Sequence, residues 1–359
     1  MTQGSGDQRS EPVAGDVSRR SPSSRKRLWS IFKWSLTLLV LAFVAVRAKR
    51  LWDEGTAGGV ELHAGWLVLS GLLYALGWLP SAWYYKAILS RMGDEIAWRP
   101  ILRAYYCGLL GKYVPGKALV PIIRGRMVAA AGGRFRAGAL AVVYDSVVFM
   151  GVGVEVSVAL LAFLIPKDLE KAPKLFRLFA EHPWGQWVLD HPIVLPISVL
   201  IVVVASLPVV GRLFAFVAAK LAPVGDDQTL TRRIDASLIG QGFLVFSAAW
   251  FVHGLSLWAV LRGVGANAAL SDLPTWTACI ALPMTAGFIA LFAPGGVGVR
   301  EGVLIEVLKA QPGIDPRQAV AAAFALRLVG LLTEVLVAVV LYYGLAPRPD
   351  RGANVSSEV

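Results

Sequence analysis

Cysteine and histidine are scarce in this chain. Its 359 residues include two cysteines, Cys107 and Cys279, and four histidines, His63, His182, His191 and His253. Both cysteines fall inside apolar segments, so no disulfide between them is expected, and no metal-ligand spacing exists. The histidines are scattered; His253 alone sits within an apolar run and reads as a core or helix-contact residue rather than a ligand. Charge is also sparse, at 16% of residues. No stretch alternates with period two, which excludes an outer-membrane type of barrel. No Ser/His/Asp order stands out. Pro294-Gly295-Gly296-Val297-Gly298 lacks the Gly-Lys-Ser/Thr ending and the flanking strand of a nucleotide-binding loop. No catalytic residue, metal or cofactor is therefore expected.

What remains is apolar: 56% of residues are hydrophobic, and the mean hydropathy is +0.61. Apolar runs recur at lengths near the ~20 residues that cross a bilayer. They predict an all-α, polytopic membrane protein with about six spanning helices, near 31–48, 62–89, 137–165, 193–219, 236–262 and 318–344. The net charge of +11 does not imply nucleic acid. The basic residues gather in the N-terminal tail and in short loops, as the positive-inside rule requires. Residues 1–28 read as a disordered, basic cytoplasmic tail, with Arg25-Lys26-Arg27 preceding a retained signal-anchor helix. Residues 29–346 form the membrane domain and 347–359 a second cytoplasmic tail. The stretch 166–192 is charged and amphipathic, with Trp184 and Trp187 suited to the membrane interface.

Two proline-glycine breaks interrupt this pattern. One lies in Gly111-Lys112-Tyr113-Val114-Pro115-Gly116-Lys117, followed by Arg124 and Arg126; the other in Ala293-Pro294-Gly295-Gly296-Val297-Gly298-Val299-Arg300-Glu301. Pro-Gly ends a helix, because proline lacks an N–H and glycine leaves the helical basin cheaply. Broken backbone at membrane depth is tolerated only where protein or a wet cavity covers it. Residues 91–103 and 124–136 are both basic, so the first broken element, 100–131, enters and leaves on the cytoplasmic side. The second, 274–309, then enters from outside. Two re-entrant hairpins from opposite faces, their turns meeting near mid-membrane, make an inverted repeat. Full crossings at both elements are the alternative, but they would strand Arg124, Arg126, Arg134 and Arg136 outside.

Charges cluster around the breaks. A helix restarting near Val297–Arg300 presents unpaired N–H groups and a positive dipole end. Arg300 adds a fork suited to phosphate. Glu301 could pair with Arg300, bind an amine or carry a proton. Lys112, Lys117 and Arg124 supply more positive charge at the first break, although long lysines can snorkel outward. Substrate-phosphate candidates are thus Lys112, Pro115, Gly116, Lys117, Arg124, Pro294, Gly295, Gly296, Arg300 and Glu301. Asp145 and Glu155 share one long helix, and Arg327 and Glu334, seven apart, share a face of the last. These four are candidates for a polar path or gate; buried pairs that merely orient helices are the alternative.

Lys112–Lys117 and Pro294–Glu301, with Asp145 and Ala325-Leu326-Arg327-Leu328, resemble the signature stretches of the lysylphosphatidylglycerol synthase transmembrane-region family, a family of flippase-like membrane proteins. The resemblance covers most of residues 30–345. It implies a helical bundle with two opposed re-entrant hairpins. In lipid-aminoacylating members a cytosolic transferase domain follows; 359 residues leave no room for one, so aminoacyl-lipid synthesis is not expected. The combined expectation is a multi-pass protein of a prokaryotic cytoplasmic membrane, both termini inside, that flips an anionic lipid or lipid-linked substrate. Its expected partners are membrane lipids and no nucleic acid. The alternatives are a transporter of small anions or solutes, and a non-catalytic partner of a membrane-associated transferase.

Overall fold

The computed structural model describes residues 61–113, 119–165, 174–191, 193–202, 205, 208, 212, 235–289, 296 and 298–345. They form helices and no strand. In chain order these are α1 (Ala64–Gly77), α2 (Leu79–Arg91), α3 (Trp98–Leu109), a 3-10 turn (Leu110–Tyr113), α4 (Leu119–Ala130), α5 (Phe135–Ala159), α6 (Leu161–Leu164), α7 (Lys174–Glu181) and α8 (Pro183–Asp190). Then come α9 (Val194–Val202), α10 (Ala236–Gly263), α11 (Leu273–Ile289), α12 (Val299–Lys309) and α13 (Pro316–Gly344).

Four helical stretches are long and apolar enough to cross a membrane: Ala64–Arg91, Phe135–Ala159, Ala236–Gly263 and Pro316–Gly344. Pairing Pro183–Asp190 with Val194–Val202, which bend by 101°, allows a fifth. Of the six expected spans, 31–48 lies outside the described residues, and so does most of 193–219. The stretch expected at 62–89 is interrupted at Trp78, where Pro80 opens α2, as proline does in a first helical turn.

Local chemistry sets the helix starts. Asp235 caps α10 by accepting the Leu238 N–H at 3.0 Å. Asp315 accepts the Arg317 N–H at 2.8 Å, and Gln318 returns the favour by accepting the Asp315 N–H at 3.0 Å. With Pro316 at the first helical position, this is a capping box. Helix α10 is the hub: it packs on α1, α2, α5, α11 and α13. Its Phe246, Trp250 and Leu257 are fully buried. Outward faces carry Leu244, Leu328, Leu332 and Leu336, all strongly exposed, as lipid contact demands.

The two broken elements fold back on themselves. α3 packs against α4, and α11 against α12. At the base of the first hairpin, Asp94 accepts from the Arg134 amide at 2.8 Å and pairs with the Arg134 Nε at 2.9 Å. Its entry and exit therefore meet. At the base of the second, Gln318 donates to the Gly265 carbonyl at 3.0 Å. α5 links the two bases. At its start, Phe135 touches Gly125 of the first hairpin. Beyond its end, the Leu164 carbonyl accepts from Gln311 at 3.0 Å and the Phe163 carbonyl from Thr275 at 3.3 Å, both on the second hairpin. A 25-residue helix is about 37 Å long. The hairpin bases thus lie at opposite ends of one membrane-length helix.

Candidate functional site

Each hairpin closes near its tip through glycine. A Cβ on Gly111 would stand 2.7 Å from the Val120 backbone nitrogen. In the second hairpin Gly296, at φ +70°, lies so close to Gly287 that its own Cβ would meet that backbone at 2.8 Å. Both approaches are closer than a side chain tolerates. Gly298, at φ +88°, turns the chain into α12. The helix begins at Val299, within the Val297–Arg300 window expected. Pro115, Gly116, Lys117, Pro294 and Gly295 lie outside the described residues.

Between the hairpins is a cavity of about 350 Å³. Its lining includes Lys112 and Arg124 from the first hairpin, Arg300 from the second, Asp145 from α5 and Arg327 from α13. Five of the sequence-predicted residues therefore converge on one space. The rest of the wall is mostly apolar or aromatic, with Trp78, Tyr105, Phe149 and Phe288.

Three ion pairs surround it. Arg124 reaches Asp145 at 3.1 Å, with side-chain exposures of 3% and 5%. The Arg124 guanidinium lies 3.7 Å from the Tyr105 ring centroid, a cation–π contact in a desolvated place. Its stem crosses Gly108, where a Cβ would stand 2.5 Å from it. Lys112 pairs with Glu334, which is 1% exposed. Glu334 also accepts from the Tyr74 and Tyr113 hydroxyls, the latter at 2.9 Å. Gly330, one turn before Glu334, leaves room for the Tyr74 ring. Lys112 thus points inward rather than snorkelling out. Arg327 lies 3.6 Å from Glu301, whose other oxygen accepts the Gly298 N–H at 2.7 Å.

This pairing corrects one option left open by the sequence: Glu301 pairs with Arg327, not Arg300. Nor do Arg327 and Glu334 serve each other. Each reaches a different hairpin from the same face of α13. Arg300 has no carboxylate within ion-pair distance among the described residues. Glu155 is not part of the cavity lining. It lies ten residues beyond Asp145 on α5, about 15 Å further along. Its buried Oε2 has no hydrogen-bond partner among the described residues.

With that geometry established, the comparison with known families is decisive. The sequence profile of the lysylphosphatidylglycerol synthase TM region matches residues 30–338. The chain belongs to that family. No curated protein and no solved structure matches it. In this family member, sequence reading gave no role to Tyr74, Tyr105 and Tyr113, which complete the charged cluster, the first two from inside apolar helices and Tyr113 from the 3-10 turn beside Lys112. It read His253 as a core or helix-contact residue, and the structure buries it fully. The Trp78, Tyr74, Trp250 and Phe149 rings lie 5.1, 5.4, 6.0 and 6.4 Å from its ring. Neither imidazole nitrogen has a partner among the described residues. The free, buried Cys107 and Cys279 agree with the expectation of no disulfide.

Proposed function

We propose that this protein moves an anionic lipid, or a lipid-linked phosphate, between bilayer leaflets, holding the headgroup in the cavity between the two hairpins. The observation that carries the reading is Arg300. It lines the cavity beside Gly296 and the start of α12, and it has no ion-pair partner among the described residues. The first α12 hydrogen bond runs from the Gly302 N–H to the Gly298 carbonyl at 3.0 Å. The amides ahead of it are those a helix start leaves without carbonyl partners. A fixed cation and a helix N-terminus together favour phosphate.

The opposed hairpin bases support an inverted arrangement, in which a substrate could be reached from either side in turn. The basic loops support cytoplasmic termini and a bacterial or archaeal cytoplasmic membrane as the setting. The test is reconstitution in liposomes with fluorescent phosphatidylglycerol. Wild-type protein should move the lipid. Arg300→Ala should lose movement while keeping its melting temperature and elution profile, and Arg300→Lys should retain part of the activity. Movement by Arg300→Ala at the wild-type rate overturns this assignment.

A further inference from the structure

The cavity does not end at its charged residues. Its α5 wall includes Val143, Ser146, Val147 and Met150, a single stripe at helical spacing. Two of these also face outward: Val143 is 46% exposed and Val147 47% exposed. Their neighbours Val142, Asp145 and Phe149 line the same cavity from the buried side. The stripe therefore runs from the charged centre to the outer surface of the bundle.

The flanking helices explain the opening. α4, the returning arm of the first hairpin, packs on α5, and so does α11, the leading arm of the second. The two arms make no substantial contact with each other. They are the walls of a cleft whose floor is α5. Val120 and Pro121 contribute from one wall, Met284 and Phe288 from the other. Val143 is the ninth residue of the 25-residue α5, so the cleft opens within the span, where the outside is hydrocarbon.

Resting on the reading above, we infer that this cleft is a lateral portal. A phospholipid places its phosphate at Arg300 while an acyl chain leaves across Val143 and Val147 between α4 and α11. The ligand is thus lipid phosphate rather than free phosphate. A soluble ion needs no apolar exit at membrane depth, whereas a membrane lipid cannot fit its chains together with its headgroup inside a chamber of about 350 Å³. The open side lets the chain stay in hydrocarbon while the headgroup alone is enclosed.

The test is photolabelling in proteoliposomes with phosphatidylglycerol carrying a diazirine midway along one chain, the labelled positions being mapped by peptide mass spectrometry. Labelling should concentrate on residues 143–150, and should fall by roughly tenfold or more in Arg300→Ala, the loss of one charge-assisted contact. Labelling at Leu336, which is 64% exposed on α13, should be the same in both proteins and reports that the variant is folded. Val147→Trp should cut labelling at 143–150 and leave Leu336 unchanged. Excess glycerol 3-phosphate should not displace the label. Labelling of α5 no stronger than that of α13, or insensitive to Arg300, overturns the portal; displacement by glycerol 3-phosphate overturns the lipid source. A protein that labels as expected but moves no lipid keeps the portal and overturns translocation.

Discussion

Arg124 and Asp145 show what buried charge requires at the residue scale. Both are nearly sealed from solvent, yet they are joined by a single contact. The Arg124 Nε and the Asp145 Oδ1 have no hydrogen-bond partner among the described residues. Breaking a buried pair on one side leaves the other charge uncompensated, which costs about 3–5 kcal/mol. Replacing both partners with apolar groups removes both penalties. Arg124→Ala should therefore destabilise the protein more than Arg124→Met combined with Asp145→Leu; a detergent-based thermal melt of both variants decides it, and a double variant at least as unstable as the single one overturns the argument. Tyr74→Phe and Tyr113→Phe each remove a neutral donor to the Glu334 carboxylate, an interaction worth about 1.5–3 kcal/mol. Little of this was legible in sequence. The charged residues announced themselves by standing in apolar runs. Tyr74 and Tyr105 did not, because an aromatic residue in an apolar helix breaks no pattern, and nothing in the first break marked the Tyr113 hydroxyl as a donor to Glu334. Tyr74 and Glu334 lie 260 positions apart, and only the packing of α1 on α13 joins them. The choice between Arg300 and Arg327 as the Glu301 partner was equally hidden, since sequence proximity favours the neighbour and geometry the distant residue.

At the scale of elements, the hairpins were readable because proline and glycine break helices for reasons independent of context. Their closure was not, because it depends on how near two backbones come. Gly296 and Gly132 separate the two effects. Both have positive φ, at +70° and +90°. A Cβ on Gly296 would overlap the Gly287 backbone, whereas at Gly132 nothing lies within 4 Å. Gly132→Ala should cost about 1–2 kcal/mol, from conformation alone. Gly296→Ala should cost clearly more and should also impair lipid movement. Equal melting temperatures for the two variants would remove the close-packed tip from the account. Helix α10 offers a pH-dependent counterpart at the membrane edge. Slight burial works against ionisation of Asp235, but the Leu238 N–H, the Ser237 hydroxyl and the Arg91 guanidinium outweigh it and hold its carboxyl below the ordinary value. A depressed folded-state pKa gives stability that is present above the unfolded value, about 3.9, and lost as pH falls through the folded one. The melting difference between wild type and Asp235→Ala should accordingly narrow in acid below about pH 4. A constant difference would mean that the carboxylate charge contributes nothing.

Across the whole molecule, α13 connects the parts. Glu334 holds Lys112 of the first hairpin and Arg327 holds Glu301 of the second, seven residues apart on one helix. Relative movement of the hairpins must stretch or exchange one of these pairs, so the charges proposed to bind a substrate and those that hold the fold belong to one set. Lys112, Arg124, Arg300 and Arg327 are countered by Asp145, Glu301 and Glu334, which leaves one positive charge, at Arg300. A site with one uncompensated charge in a weakly screened place suits a headgroup with one negative charge, because a second would enter unpaired. Adding a positive charge should therefore shift the preference. Glu334→Gln keeps an oxygen that can accept from Tyr74 but frees Lys112, raising the net charge by one. In liposomes holding phosphatidylglycerol and phosphatidic acid, wild type should favour the singly charged lipid, and Glu334→Gln should move toward the doubly charged one at pH above its second ionisation. In binding to lipids in the same liposomes, Arg300→Gln should lose the preference for anionic over zwitterionic headgroups altogether. Unchanged selectivity in both variants would show that charge balance does not choose the substrate, and would leave the shape of the cleft between α4 and α11 as the determinant.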